Sequence, residues 1–200
     1  SETGTSIISK SGMQKFGQKT FELKNKKTVS IRQAKISDAE KLLKCIRTYI
    51  PQSEFIPKLE QEIGLTIEQE REWINSFLIQ DNSLLLVAEH KGEIIGNIDL
   101  TGSQRKIMEH TAMIGMGIIR EWRNSGLGSL FIQSAIEWAR RNPKLELLWL
   151  QVYSENEIGV HLYRKMGFIE NGSIKNFFKK NDRYFHKLTM TLDVNNPDLP

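Results

Sequence analysis

Residues 123–128 read RNSGLG, directly after the apolar run AMIGMGII of residues 112–119 and the polar REW of residues 120–122. The hydrophobic period changes here from two to 3.6, so a strand ending near Ile119 hands over to a helix beginning near Gly126. One turn residue suffices for such a joint, and a glycine inside a helix costs about 0.5–1 kcal/mol against alanine. Two explanations compete for Gly126 and Gly128: turn geometry alone, or the close approach of a charged ligand to bare backbone. A helix N-terminus exposes four unpaired N–H groups and the positive end of its dipole, which together suit a phosphate. Arg123 adds a charged side chain.

On the upstream side, His110 to Ile119 reads as a strand with Ala112, Ile114, Met116 and Ile118 on one face. Before it, SLLLVAEH (83–90), the turn Lys91-Gly92 and EIIGNIDL (93–100) form an antiparallel hairpin. Thr28 to Ala34 alternates as a first strand. Ser37–Glu40 and Thr66–Gln69 are capping-box signals, each opening a helix, and Pro51 stops the first of these. Downstream, Leu127, Leu130, Phe131, Ala135, Trp138 and Ala139 make one helical stripe that ends at Asn142-Pro143. Leu145 to Tyr153 is a strand and Glu155 to Met166 a short helix, with Ile158, Leu162 and Met166 facing the core. Arg183 to Leu192 is the last strand, and the basic stretch Lys175 to Arg183 reads as a solvated loop before it. The order predicts an α/β fold: a mixed, mostly antiparallel central sheet with helices on both faces. Residues 1–20 lack any amphipathic period and read as a flexible tail, with Met13 a natural start; residues 21–195 read as one domain.

The 200 residues are enough for one domain with a sizeable core, and 39% hydrophobic with 26% charged residues is ordinary globular composition. No run approaches the roughly 20 apolar residues of a membrane span, so no membrane partner is expected. A single cysteine, Cys45, excludes an internal disulfide and a cysteine metal cluster. A reducing, cytoplasmic setting with no metal is therefore the default expectation. The net charge of +4 suits a small polyanion. Nucleic acid is not expected as a partner, because Lys175 to Arg183 carries no recognised binding motif.

Three phosphate-binding schemes can be tested on RNSGLG. A P-loop requires GxxxxGK[ST], and no lysine stands in place. A dinucleotide fingerprint requires a small third residue, where Phe131 stands. The spacing Arg/Gln-x-x-Gly-x-Gly/Ala fits, and it is the pyrophosphate loop of the GCN5-related N-acetyltransferase (GNAT) family. Residues 150–168, LQVYSENEIGVHLYRKMGF, resemble that family's second hallmark through Asn156, Gly159 (often Ala in the family), Tyr163, Gly167 and Phe168. The opening IRQAKISDAEKLL is similar to its first strand and helix, so the resemblance spans roughly residues 28–193. Rim-type and polyamine-type bacterial acetyltransferases are nearest in feel.

The resemblance implies the GNAT fold, acetyl-CoA as co-substrate and transfer of its acetyl group to a primary amine, on a small molecule or a protein N-terminus. It also implies coenzyme contacts from Arg123, Asn124, Ser125, Gly126, Leu127, Gly128 and Ser129, with backbone pairing at Ile118 and Ile119. Asn156 and Tyr163 join this set, with Asn156 capping its helix or binding the coenzyme arm. A homodimer is the family habit. The alternative reading is a catalytically weak CoA-binding sensor or scaffold on the same fold.

Chemistry sets two demands. An alkylamine with pKa near 10 is about one part in a thousand neutral at pH 7, roughly 4 kcal/mol of missing nucleophile. The departing thiolate, with a thiol pKa near 8.5, benefits from a proton donor, the role expected of Tyr163. For the base, some relatives place a glutamate where Ala112 stands here. His110 shares the parity of Ala112 and is the first candidate, followed by Glu109 and Asp99; a water chain or a substrate arriving neutral would serve equally.

Overall fold

Positive φ at Lys91 (48°) and Gly92 (83°) gives the two-residue turn whose twist matches paired strands, and the hairpin read from the sequence forms around it. In the computed structural model, which describes residues 15–58, 62 and 66–197, that hairpin lies near the middle of an eight-stranded sheet. The strands are β1 (Lys19–Glu22), β2 (Thr28–Gln33), β3 (Leu84–His90), β4 (Glu93–Gly102), β5 (Thr111–Ile118), β6 (Leu147–Tyr153), β7 (Ile169–Lys180) and β8 (Arg183–Asp193). The helices are α1 (Ala39–Tyr49), α2 (Ile67–Ile79), α3 (Leu127–Arg141) and α4 (Glu157–Lys165). The sheet order is β1-β2-β3-β4-β5-β6-β8-β7, and every neighbouring pair is antiparallel except β5 and β6.

Each face of the sheet has its own core. Leu42, Tyr49, Ile74 and Phe77 of α1 and α2 cover Leu85, Val87 and Ile94. On the opposite face, Phe131, Ile132, Ala135 and Trp138 of α3 cover Ile98, Leu100, Ala112, Leu148 and Leu150. Side chains of this size contribute about 1.5–3 kcal/mol each on full burial. The even-numbered positions of β5 do share one face, and that face is the α3 core.

Several sequence expectations change. Residues 1–14, including Met13, lie outside the described residues, but the tail expected through residue 20 does not persist: Phe16 is buried and Lys19–Glu22 is an edge strand. Ser37–Glu40 is not the cap of α1. Residues Ile36–Asp38 make a 3-10 turn, and the Asp38 carboxylate accepts the Lys35 N–H at 2.7 Å. Thr66–Gln69 does form its reciprocal box, at 3.1 and 3.2 Å. On α4, Ile158 is exposed and Val160 takes its place against the core beside Met166. Lys175 to Arg183 is the end of β7, a turn at Asn181-Asp182 with positive φ, and the start of β8.

Arg32 ties β2 to the start of α1 and to β3. Its guanidinium donates to both Asp38 oxygens, at 2.7 and 2.9 Å, and to Glu89 at 2.6 Å. Burial acts to raise the Asp38 pKa, but the bonds from Arg32 and from the Lys35 amide outweigh it and hold the carboxyl below its ordinary value. Arg32→Ala is expected to lower stability by about 2 kcal/mol, less than the roughly 3–5 kcal/mol of a fully buried pair. The depressed Asp38 pKa places this contribution above about pH 4 and removes it as pH falls further. Thermal melts at pH 7 and pH 3 check both points: the gap between wild type and variant should shrink in acid.

Candidate active site

The parallel pair β5–β6 is joined only at its start, from Thr111↔Leu147 to Met113↔Trp149. Beyond Met113 the two strands separate, although β4 still pairs β5 out to Ile118 and β8 still pairs β6 out to Tyr153. The result is a wedge with two inner backbone edges that have no ladder. Backbone groups alternate sides along a strand. The Ile119 N–H donates to the Ile95 carbonyl at 3.0 Å, so odd-numbered residues of β5 point their backbone toward β4. Ile114, Met116 and Ile118 therefore present N–H and C=O groups to the wedge. On β6 the Leu147 N–H donates to the His110 carbonyl at 3.1 Å, which places the backbone of Gln151 and Tyr153 on the opposite inner edge. An extended polar chain entering the wedge would find strand-like partners on both sides. Of the two expected pairing residues, Ile118 is on this edge; the Ile119 amide is already consumed by β4.

At the open end of β5, a 3-10 turn at Arg120–Trp122 leads into the glycine loop. Asn124 (φ 57°) and Gly126 (φ 92°) are both left-handed, which explains Gly126 on turn geometry. The Ser125 hydroxyl donates to the Trp122 carbonyl at 2.6 Å, fixing the loop from below. Leu130 makes the first α3 bond, to the Gly126 carbonyl at 3.2 Å, and no side chain caps the helix. No acceptor among the described residues is bonded to the amides of Asn124, Ser125, Gly126, Leu127, Gly128 or Ser129. Six such donors at a helix N-terminus fit a diphosphate in both charge and hydrogen bonding. Gly128 has a second use: a Cβ there would stand 3.1 Å from Leu162 Cδ2, so its bareness lets α4 close on α3.

Arg123 turns inward. Its Nε donates to the Ile118 carbonyl at 2.9 Å and one terminal nitrogen donates to the Gln52 carbonyl at 3.2 Å. Burial, followed by the neighbouring Arg120 charge, lowers its pKa. Gln52 also accepts the Arg120 N–H through Oε1 at 2.8 Å, so the segment after α1 is tied to the glycine loop.

Tyr163 packs against the α3-side core and meets Phe168 edge-on, with ring centroids 5.8 Å apart. Burial, then the field of Asp99, pushes its hydroxyl up to about 12. Asp99 stands on β4 opposite Gly115 of β5, and a Cβ on Gly115 would come within 2.8 Å of its Oδ1. Burial raises the Asp99 carboxyl to about 7, against the opposing pull of the Thr101 hydroxyl, bonded at 3.0 Å, and of Lys58. Beside it, the Tyr49 ring lies where a side chain at Gly117 would be, 2.2 Å from that Cβ position, and its hydroxyl donates to Asn97 at 2.9 Å. Gly115 and Gly117 thus keep one face of β5 free for Asp99 and Tyr49.

Residues 49–168 match the family model described as the acetyltransferase (GNAT) family. The chain belongs to this family. A GNAT-family acetyltransferase of Streptococcus pneumoniae superposes with a TM-score of 0.79 at 31% identity, covering 82% of this chain and 99% of that one. YncA from Salmonella typhimurium, solved with its cofactor acetyl-CoA, superposes with a TM-score of 0.75 at 17% identity, over 86% of this chain and 97% of that one. The L-amino acid N-acetyltransferase AaaT of Escherichia coli is 27% identical over 99 residues, 50% of this chain and 61% of that enzyme. That match therefore spans less than two thirds of the relative's length.

Within the GNAT frame Arg123 joins the glycine loop to the Ile118 edge, Leu162 of α4 packs at Gly128, and the Asp99 charge is felt at Tyr163. His110 is not among them. It precedes β5 at the closed end of the wedge, and Ile118 lies eight residues further along, roughly 25 Å in extended chain. Glu109 sits at that same end, engaged with Lys106 and Lys144. A side-chain base at position 112 is ruled out by packing, since Ala112 is fully buried under α3. Asn156 caps α4, its Oδ1 accepting the Gly159 N–H at 3.0 Å, and the missing Cβ of Gly159 makes room for that amide rather than for a ligand. Gln52 carried no sequence signal at all.

Proposed function

We propose that this GNAT-family protein transfers the acetyl group of acetyl-CoA to a primary amine by direct attack in a ternary complex. One observation carries the reading: a wedge of unladdered backbone edges ends at six unpartnered amides on the N-terminus of α3. The amides of residues 124–129 would hold the coenzyme's diphosphate, and the Ile118 edge its amide-bearing arm. Acetyl-CoA supplies an activated acetyl thioester. From the β4–β5 face, the Asp99 carboxylate accepts the proton that the acceptor ammonium must lose. From the α4 side, the Tyr163 hydroxyl donates to the sulfur as charge develops there. The family relative in E. coli is named for L-amino acids, and the acceptor class here is taken as a small molecule or N-terminal amine.

The test combines calorimetry with a thiol-release assay on polyamines, amino acids, N-terminal peptides and aminoglycosides. Wild type is expected to bind acetyl-CoA and to release CoA with at least one amine class. Gly126→Asp places a carboxylate among the anion-binding amides at a positive-φ position and should weaken acetyl-CoA binding about tenfold or more, each tenfold step being about 1.4 kcal/mol. Unchanged affinity in that variant removes the loop from the coenzyme site. Tight binding with no turnover on any amine would instead favour the sensor reading.

A further inference from the structure

The glycine loop has a neighbour that no family motif includes. The turn Leu23-Lys-Asn-Lys-Lys27 between β1 and β2 lies outside residues 49–168, and it packs against the loop from the edge of the sheet. We propose that Lys24 supplies the charged side-chain contact to the coenzyme's phosphates, the part the sequence assigned to Arg123. This rests on the acetyl-CoA reading above.

The turn is built to hold Lys24 in place. Leu23 is buried in the α3-side core. Its N–H donates to the Lys27 carbonyl and its own carbonyl accepts from Lys26, both at 2.9 Å, which closes the turn. The Lys24 N–H then donates to the Ser125 carbonyl at 3.0 Å, so the backbone of the turn is fastened to the backbone of the loop. The Lys24 stem runs along Gly126: a Cβ there would stand 3.8 Å from its Cε and 3.9 Å from its Cγ. The ammonium thus arises beside the six unpartnered amides.

Charge accounting singles out this residue. Lys26 is paired with Glu22 at 3.1 Å, and the Lys27 ammonium sits over the Trp122 ring at 4.8 Å. Arg123 is engaged by the Ile118 and Gln52 carbonyls. Lys24 has no carboxylate partner among the described residues. A polyanion on the loop would meet an ammonium that gives up no existing ion pair, and whose backbone is already fixed.

Calorimetry on the full chain tests this with acetyl-CoA, dephospho-CoA and S-acetylpantetheine, comparing wild type with Lys24→Gln and Lys26→Gln. Lys24→Gln should weaken acetyl-CoA binding about three- to tenfold, flatten its salt dependence, and leave S-acetylpantetheine, which has no diphosphate, unaffected. Lys26→Gln should match wild type. If the penalty persists with dephospho-CoA the contact is to the diphosphate, and if it vanishes the contact is to the ribose phosphate; either supports the assignment. Equal affinities of wild type and Lys24→Gln for acetyl-CoA overturn it, as does an equal loss in Lys26→Gln. Failure of wild type itself to bind acetyl-CoA would defeat the parent reading, so the two failures are distinguishable.

Discussion

Asp99→Asn is expected to reduce kcat/KM for the acceptor amine by about 10²–10³-fold at pH 7, within the range of general-base catalysis. An ammonium with pKa near 10 leaves about one molecule in a thousand reactive at pH 7, and a carboxylate that titrates near 7 can take the proton from the rest. The groups acting on Asp99 are the Thr101 hydroxyl and the Lys58 ammonium, which pull its pKa down against burial; the Tyr49 and Tyr163 hydroxyls both feel its charge. Wild-type kcat/KM should therefore rise to about pH 7 and then level. In the Asn variant only already-neutral amine reacts, so the rate should keep climbing toward the acceptor's own pKa. A stability measurement separates this from a structural role. The folded pKa of Asp99 is raised above its unfolded value near 3.9, so ionisation opposes folding from about pH 4 upward and fully above about 7. The Asn variant should be more stable than wild type at pH 8 and about equal at pH 4. A carboxylate needed only for structure would give the reverse at pH 8 and an unshifted rate profile.

How far the fold was legible from sequence follows from what each element asks of its residues. The β3–β4 hairpin announces itself twice, by alternation and by Lys91-Gly92. The stripe of α3 is long enough to fix its face, and RNSGLG marks where it starts. β1 failed because four residues, KTFE, are too short for a period to emerge from a polar background. The face of α4 slipped because nine residues give few turns to average over, and Val160 rather than Ile158 is the side chain it buries. The wedge is invisible for a different reason: β5 and β6 carry the same apolar alternation whether or not they stay paired. Asp99 stood behind His110 and Glu109 among the base candidates, because nothing in the alternation of β4 sets it apart. Only the absence of a Cβ at Gly115, directly across the β4–β5 ladder, leaves room there for the Asp99 carboxylate. The chemical roles could be written down from the reaction, but choosing Asp99 over His110 and Glu109 as the proposed base required the register.

Tyr163→Phe is expected to lower kcat by about 10²–10³-fold while leaving the acetyl-CoA dissociation constant within about threefold. The affinity should survive because the ring, not the hydroxyl, packs on Phe168 and the α3-side core, and phenylalanine retains that surface. On the proposed mechanism the rate should fall because the hydroxyl is the group that donates to the sulfur. With its pKa pushed up to about 12, the phenol is protonated throughout the working range. The same value limits what it does. Full transfer to a thiolate whose conjugate acid has a pKa near 8.5 would be uphill by about 3.5 units, roughly 5 kcal/mol. Donation without complete transfer avoids that cost and still stabilises the charge growing on sulfur. Two consequences follow for measurement. The rate of the wild type should show no basic limb from tyrosine below pH 10, since the hydroxyl does not ionise there. The defect of Tyr163→Phe should shrink with an acyl thioester whose thiol has a lower pKa, because a better leaving group needs less help. An undiminished defect across such a series would place Tyr163 in acceptor positioning instead, where loss of the hydroxyl raises KM for the amine and leaves the leaving-group dependence unchanged.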